Sequence, residues 1–136
     1  FLSITDIIIH RNCYFSRGKT MENMDYYSHG IDYANAIPRF LGKEDLYFDF
    51  LRKFIASNSF HELKPAIESN DADKVFEIAH SLKGVTGNLS LYRLNQLLIP
   101  FTESVRNKDN CLEAKELFPQ LEEEYQQTIC YLTSIL

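Results

Sequence analysis

The chain has 136 residues, of which 45% are apolar and 24% are charged, a composition typical of a globular protein with one core. Its 19 acidic residues outnumber its 14 basic ones, and the net charge of -5 disfavours a protein that binds nucleic-acid phosphates. The longest apolar run, at residues 7–9, is far shorter than the ~20 residues of a membrane span. We therefore expect neither nucleic-acid nor membrane partners.

The three cysteines predict no special chemistry. Cys13, Cys111 and Cys130 show no CxxC spacing and have no histidine nearby at the spacing of a zinc site, so we expect reduced, partly buried thiols. No Gly-rich phosphate-binding pattern is present, so we predict no cofactor. The chain begins without the pattern of a secretory leader, and we expect a cytoplasmic protein.

Residues 1–28 follow no clean period, and we interpret them as a linker or an extra helix. Residues 29–136 are predicted to form one helical domain, because their apolar residues have helical spacing and no run of strict alternation indicates a strand. Asp32 is the predicted N-cap of a short helix that ends at Gly42, and a second helix begins near Glu44.

Ser59 and Glu62 have the spacing of a capping box, which predicts a helix over 60–69. Asp71 is the predicted N-cap of a helix that runs from residue 72 to residue 87 or beyond. Two further helices follow on either side of a polar loop at 107–110, and Pro100 and Pro119 predict a bend or a break in them. The short connections favour antiparallel neighbours, so the sequence predicts an all-α up-down bundle.

The helix around His80 has two contrasting faces. At about 100° per residue, one arc holds its apolar stripe, which consists of Val75, Ile78, Ala79, Leu82, Val85, Thr86 and Leu89. His80 lies nearly opposite this stripe, and Phe76, Lys83, Gly84 and Gly87 share its side of the helix. We therefore expect the imidazole to be displayed in water.

A displayed histidine in this setting has a specific chemical use. Neutral imidazole is a good nucleophile near neutral pH, and Lys83 lies where a cation could attract phosphoryl oxygens. A glycine inside a helix costs about 1 kcal/mol relative to alanine, so Gly84 and Gly87 call for an explanation. Gly84 would leave room for a partner that approaches the histidine.

Residues 79–84, Ala-His-Ser-Leu-Lys-Gly, followed by Asn88 and Leu89, resemble the signature of the histidine-containing phosphotransfer (HPt) domain. The resemblance covers the chain from about Gly30 to the C-terminus. Ser90 departs from the family pattern, since many members have glycine there. The resemblance implies an antiparallel up-down four-helix bundle with an additional N-terminal helix.

It also implies a role in a two-component phosphorelay. His80 would accept a phosphoryl group from an aspartyl phosphate on a receiver domain of a hybrid histidine kinase and pass it to the receiver of a response regulator. Lys83 would position the phosphoryl group, Gly84 would give the receiver access, and Phe76 and Gly87 would contact the partner. The domain would be a monomer without kinase or phosphatase chemistry of its own, and the Mg²⁺ would belong to the receiver.

Two other interpretations remain open at this point. The first is a helical adaptor that is not phosphorylated and binds a partner through Phe76. The second is the helix pair of a histidine-kinase dimerisation domain, in which His61 would be the acceptor. The segment from Ser59 to Pro65 resembles the phospho-acceptor box of such kinases, although Pro65 lies one residue too close to the histidine.

Overall fold

The computed structural model describes residues 23–136, and this part of the chain consists of helices and short connections without any strand. The helices are α1 (Asn23–Ser28), α2 (Tyr33–Arg39), α3 (Glu44–Ala56), a short 3-10 helix (Ser59–Glu62), α4 (Leu63–Glu68), α5 (Ala72–Asn88), α6 (Tyr92–Glu103) and α7 (Leu112–Ile135). Residues 1–22, which include Cys13 and most of the predicted N-terminal segment, lie outside the described residues.

Helices α3, α5, α6 and α7 form the bundle, and α1 and α2 precede it. Helix α5 packs against α6, α6 packs against α7, and α3 closes the bundle against α7. Because residues 89–91 alone join α5 to α6, these two helices run antiparallel. The predicted all-α bundle with an additional N-terminal helix is confirmed.

One apolar core holds the bundle together, since each helix buries one stripe and leaves the opposite side in water. Every helix from α3 onward contributes side chains that are almost fully buried, among them Tyr47, Leu51, Leu63, Val75, Leu94, Leu98, Phe101, Leu121 and Leu132. None of the described helices is both long enough and apolar enough to cross a membrane.

The sequence predicts a bend or a break at Pro100 and Pro119, and the structure shows a break at neither. Helix α6 continues through Pro100, and α7 continues through Pro119. Each proline removes the hydrogen bond to the carbonyl four residues earlier, at Gln96 and Lys115. Both prolines and both of these residues are exposed, so water can hydrate the carbonyl groups. Burial of the apolar side chains on the opposite face then keeps each helix continuous.

Two of the three predicted helix caps are present. The Asp32 carboxylate accepts a hydrogen bond from the Asn35 amide at 3.1 Å, and the Asp71 carboxylate accepts one from the Lys74 amide at 3.2 Å. The capping box at Ser59 is wrong, because the Ser59 amide donates to the Ser57 hydroxyl instead, at 3.3 Å. The segment accordingly begins with a 3-10 turn, and the α-helix starts only at Leu63.

The expectation for the cysteines needs one correction. Cys111 is a buried free thiol, as expected, and burial raises its pKa. Cys130, in contrast, takes part in a disulfide. Cysteine pairing depends on proximity in the folded chain, which spacing along the sequence does not reveal.

The turn between α5 and α6 places Ser90 at a position that favours glycine. The amides of Ser90 and Leu91 donate back to the carbonyls of Gly87 and Thr86, which forms a Schellman motif that requires a left-handed residue at position 90. Ser90 has a φ of 53°. Its hydroxyl donates to the Asn35 side chain at 3.0 Å, so α2 supports the strained residue.

Tyr47 of α3 holds the same turn from the other side. Its hydroxyl donates to the Leu89 carbonyl at 2.7 Å, and the side chain is completely buried. Burial raises the pKa of the Tyr47 phenol, so the hydroxyl stays protonated and can donate.

We expect the Tyr47→Phe substitution to lower the free energy of unfolding by about 1–3 kcal/mol, because the buried Leu89 carbonyl loses its partner. Urea unfolding followed by circular dichroism measures this change. Tyr92→Phe is the matched control, since the Tyr92 hydroxyl donates to the Tyr27 carbonyl at an exposed position. Equal losses in the two variants would contradict the role given to Tyr47.

Candidate functional site

His80 lies on the exposed face of α5, where the sequence places it. The opposite face is buried at Val75, Ile78, Ala79, Leu82, Thr86 and Leu89. Val85, which was predicted to belong to this stripe, is an exception with 39% of its surface exposed. The helix therefore has one side packed in the core and an opposite, exposed side that carries the imidazole.

The His80 ring rests on the ring of Phe76, one turn earlier in α5. The two ring centroids are 5.6 Å apart, and the ring planes differ by 18°. Phe76 is half-buried and packs on the core, and the guanidinium carbon of Arg106 lies 4.9 Å from its centroid. Phe76 thus has an intramolecular role as a platform for His80, beside the partner contact that the sequence predicts for it.

Lys83 follows His80 by almost one turn and is partly exposed. Its backbone is fixed, because the Asn95 side-chain amide of α6 donates to the Lys83 carbonyl at 2.8 Å and to the Thr86 hydroxyl at 3.1 Å. Within residues 23–136, no acidic side chain forms an ion pair with the Lys83 ammonium. The ammonium is therefore available to an incoming anion.

The two glycines of α5 have different surroundings. A side chain at Gly84 would meet nothing within 4 Å, so the fold itself does not require glycine there. A Cβ atom at Gly87 would lie 3.4 Å from the Asn95 amide nitrogen, so packing against α6 accounts for Gly87 in part. Gly84 leaves bare backbone on the exposed side of the helix, one turn after His80.

Arg39, at the end of α2, was not singled out from the sequence. Its guanidinium donates to the Gly87 carbonyl at the C-terminal end of α5. A cation at this end of a helix pairs with carbonyl groups that have no partner in the helix. Since Arg39 and Gly87 are 48 residues apart, only the fold brings them together. Asn95 and Arg106 were missed for the same reason.

A groove of about 520 Å³ lies beside α5, between this helix and α3. Ser81, the residue after His80, is part of its lining. Two exposed apolar side chains also line it, Phe50 at 42% and Val85 at 39%. Arg39 and Lys53 add positive charge, and the Lys53 ammonium lies 5.0 Å from the Phe50 ring centroid.

His61, the alternative acceptor, lies in the one-turn 3-10 helix. Its ring contacts Phe60 and Tyr125 edge to face. Residues 23–136 hold no group of three or more histidine, cysteine or acidic side chains that could bind a metal ion.

The fold and the site together define a helical bundle that displays one histidine on a rigid helix. A comparison with protein-family models matches residues 50–129, more than half of the chain, to the Hpt domain. The chain belongs to the Hpt domain family, whose members transfer phosphoryl groups through a histidine in two-component phosphorelays. Comparisons with curated proteins and with solved structures found no match.

We expect the Gly84→Ala substitution to raise the free energy of unfolding by about 1 kcal/mol, because alanine favours the helix and nothing crowds the new methyl group. Urea unfolding measures this difference. Gly87→Ala is the control and should stabilise less, since its methyl group meets Asn95. A Gly84→Ala variant less stable than the wild type would show that Gly84 serves the fold.

Proposed function

We propose that this protein is a phosphorelay intermediate in which His80 carries the phosphoryl group. It receives the group from an aspartyl phosphate on the receiver domain of a hybrid histidine kinase and passes it to the receiver of a response regulator, in the cytoplasm. The observation that carries the proposal is the position of His80, exposed on α5 opposite an apolar stripe that is buried except at Val85. Membership in the Hpt domain family supports it.

The chemical step is a displacement at phosphorus. The unprotonated imidazole nitrogen of His80 forms a bond to phosphorus while the bond from phosphorus to the aspartyl oxygen breaks, and the carboxylate leaves with the electron pair. The reverse displacement, on a second receiver, returns His80 to its free form. In this proposal the receiver supplies the acidic pocket and Mg²⁺, and this domain has no kinase or phosphatase chemistry of its own.

The bundle contributes position and charge. Phe76 supports the imidazole ring by stacking against it, which favours one orientation of His80 for the reaction. Lys83 places an ammonium group one turn away, where it can attract phosphoryl oxygens as the group arrives. Gly84 lets the receiver approach the backbone closely at this point.

The groove between α3 and α5 is the proposed docking surface for the receiver. Its lining includes Ser81, the residue after His80, and combines the exposed apolar groups of Phe50 and Val85 with the charges of Arg39 and Lys53. A receiver that presents an apolar patch next to its acidic pocket fits both properties. In this proposal the domain acts as a monomer and offers the same surface to each receiver in turn.

The histidine-kinase interpretation receives less support from the geometry. Its acceptor His61 lies in a single 3-10 turn instead of on a long helix that could pair with a second copy. The adaptor interpretation keeps the bundle and binds a partner through Phe76, without phosphorylation. The site of phosphorylation distinguishes the three interpretations. It is His80 in the proposal and His61 in the histidine-kinase interpretation, and the adaptor interpretation predicts no phosphorylation.

We expect a phosphorylated receiver to transfer phosphate to the wild-type protein, and we expect His80→Gln to abolish this transfer. The product should be acid-labile and base-stable, as a phosphoryl-nitrogen bond is, and mass spectrometry locates it. His61→Gln is the matched control and should accept phosphate at the wild-type rate. Transfer that survives in His80→Gln would reject His80 as the acceptor.

For Lys83→Ala we expect transfer to slow by roughly tenfold, the effect of losing one charged hydrogen bond worth about 1.5 kcal/mol. The fold should stay intact, which circular dichroism checks. Lys74→Ala removes an exposed lysine from the same helix at a distance from His80 and should leave the rate unchanged. An unchanged rate in Lys83→Ala would make Lys83 an ordinary surface residue.

A further inference from the structure

Arg106 follows the C-terminal end of α6 and is brought to the His80 site by the pairing of α5 with α6. Its guanidinium carbon lies 4.9 Å from the centroid of the Phe76 ring. The same ring stacks on His80, with 5.6 Å between the centroids. A single aromatic side chain therefore contacts both the imidazole and a cation from the turn that follows α6.

A second contact fixes the guanidinium group. The Nε atom of Arg106 donates to both carboxylate oxygens of Glu103, at 3.0 and 3.1 Å. This bond uses one of the five N–H groups of arginine. Within residues 23–136, the terminal nitrogens of Arg106 have no recorded hydrogen-bond acceptor, and 43% of the side chain is exposed. The outer edge of the guanidinium is thus oriented and accessible.

This edge has the chemistry of a phosphate ligand. Two terminal nitrogens of arginine can bind two oxygens of one phosphoryl group, whereas a lysine presents only a point charge. Glu103 can keep its bond to Nε at the same time, because it uses a different side of the guanidinium.

We infer that Arg106 is a further residue of the phosphotransfer site, which binds the phosphoryl group on His80 through its terminal nitrogens while Phe76 and Glu103 hold it in place. This inference rests on the proposed function of His80. Lys83, on α5, and Arg106, in the turn after α6, then flank the phosphoryl group. The expected consequence is a longer lifetime of the phosphorylated histidine.

The lifetime follows from the charge that the phosphoryl group carries during hydrolysis. Water forms a bond to phosphorus, and the bond from phosphorus to the imidazole nitrogen breaks. The nitrogen leaves with the electron pair and takes up a proton released by the water, so the products are inorganic phosphate and free histidine. The transition state of such a displacement is loose and resembles metaphosphate. Metaphosphate carries one negative charge, whereas the phosphoryl group on histidine carries two, so its oxygens are less negative in the transition state. A cation that binds those oxygens stabilises the ground state more than the transition state, so it slows hydrolysis.

The test measures hydrolysis in the absence of any receiver. The wild-type protein and its variants are phosphorylated with phosphoramidate, and the reagent is removed. The loss of phosphohistidine is then followed by mass spectrometry. We expect Arg106→Gln to shorten the half-life by about three- to fivefold, the range of one partly exposed charge interaction. Arg106→Lys keeps the charge and loses the paired donors. Its phosphohistidine half-life should lie between those of the wild type and Arg106→Gln.

Arg52→Gln is the matched control. Arg52 forms the same kind of ion pair with a residue three positions earlier, at 3.0 Å from Asp49, but it lies on α3. Its removal should leave the half-life at the wild-type value. Raising the salt concentration from about 50 mM to about 500 mM should reduce the difference between wild type and Arg106→Gln, because salt screens the charge. A change caused only by altered packing of Phe76 would not depend on salt.

The outcomes separate this inference from the proposed function. If His80 accepts phosphate and Arg106→Gln decays at the wild-type rate, Arg106 is not part of the site, and His80 keeps its role. The inference also fails if Arg106→Gln shortens the half-life equally at both salt concentrations. If neither phosphoramidate nor a phosphorylated receiver phosphorylates His80 in the wild type, the proposed function fails together with the inference.

Discussion

The pairing of α5 with α6 decides where His80 points. Val75 and Ala79 are completely buried, and Asn95 of α6 ties down the Lys83 carbonyl and the Thr86 hydroxyl. Because one side of α5 is packed against the core and α6, the opposite side faces water. A rotation of the helix by one residue, about 100°, would carry the imidazole toward the interior and separate it from its partners. The reactivity of the site is thus a consequence of the packing on the other side of the same helix.

The helices were predictable because their physical causes are local. The spacing of apolar residues and the carboxylates of Asp32 and Asp71 act within one or two turns. The errors arose where a local rule competed with tertiary structure. Pro119 is tolerated because the carbonyl that it leaves unpaired is exposed to water, and Ser59 donates its amide to Ser57 instead of to a glutamate. The disulfide of Cys130 is likewise a property of the fold.

The candidate site was predictable in part. The exposed position of His80, with Lys83 and Gly84 on its side of the helix, follows from the period of one helix. The groups that support this face come from elsewhere in the chain. Arg39 reaches the end of α5 across 48 residues, and Arg106 reaches Phe76 from the end of α6. A helical wheel represents one helix at a time, so it contains no information on such neighbours.

The turn at residues 89–91 has a consequence for the limits of the domain. The match to the Hpt domain begins at residue 50, whereas Asn35, Arg39 and Tyr47, which hold this turn, all precede it. A fragment trimmed to the matched segment would leave the left-handed Ser90 unsupported and the Leu89 carbonyl buried without a donor. The segment matched to the family is therefore shorter than the segment that folds as a unit. An expression fragment should include the residues before position 50 that hold this turn.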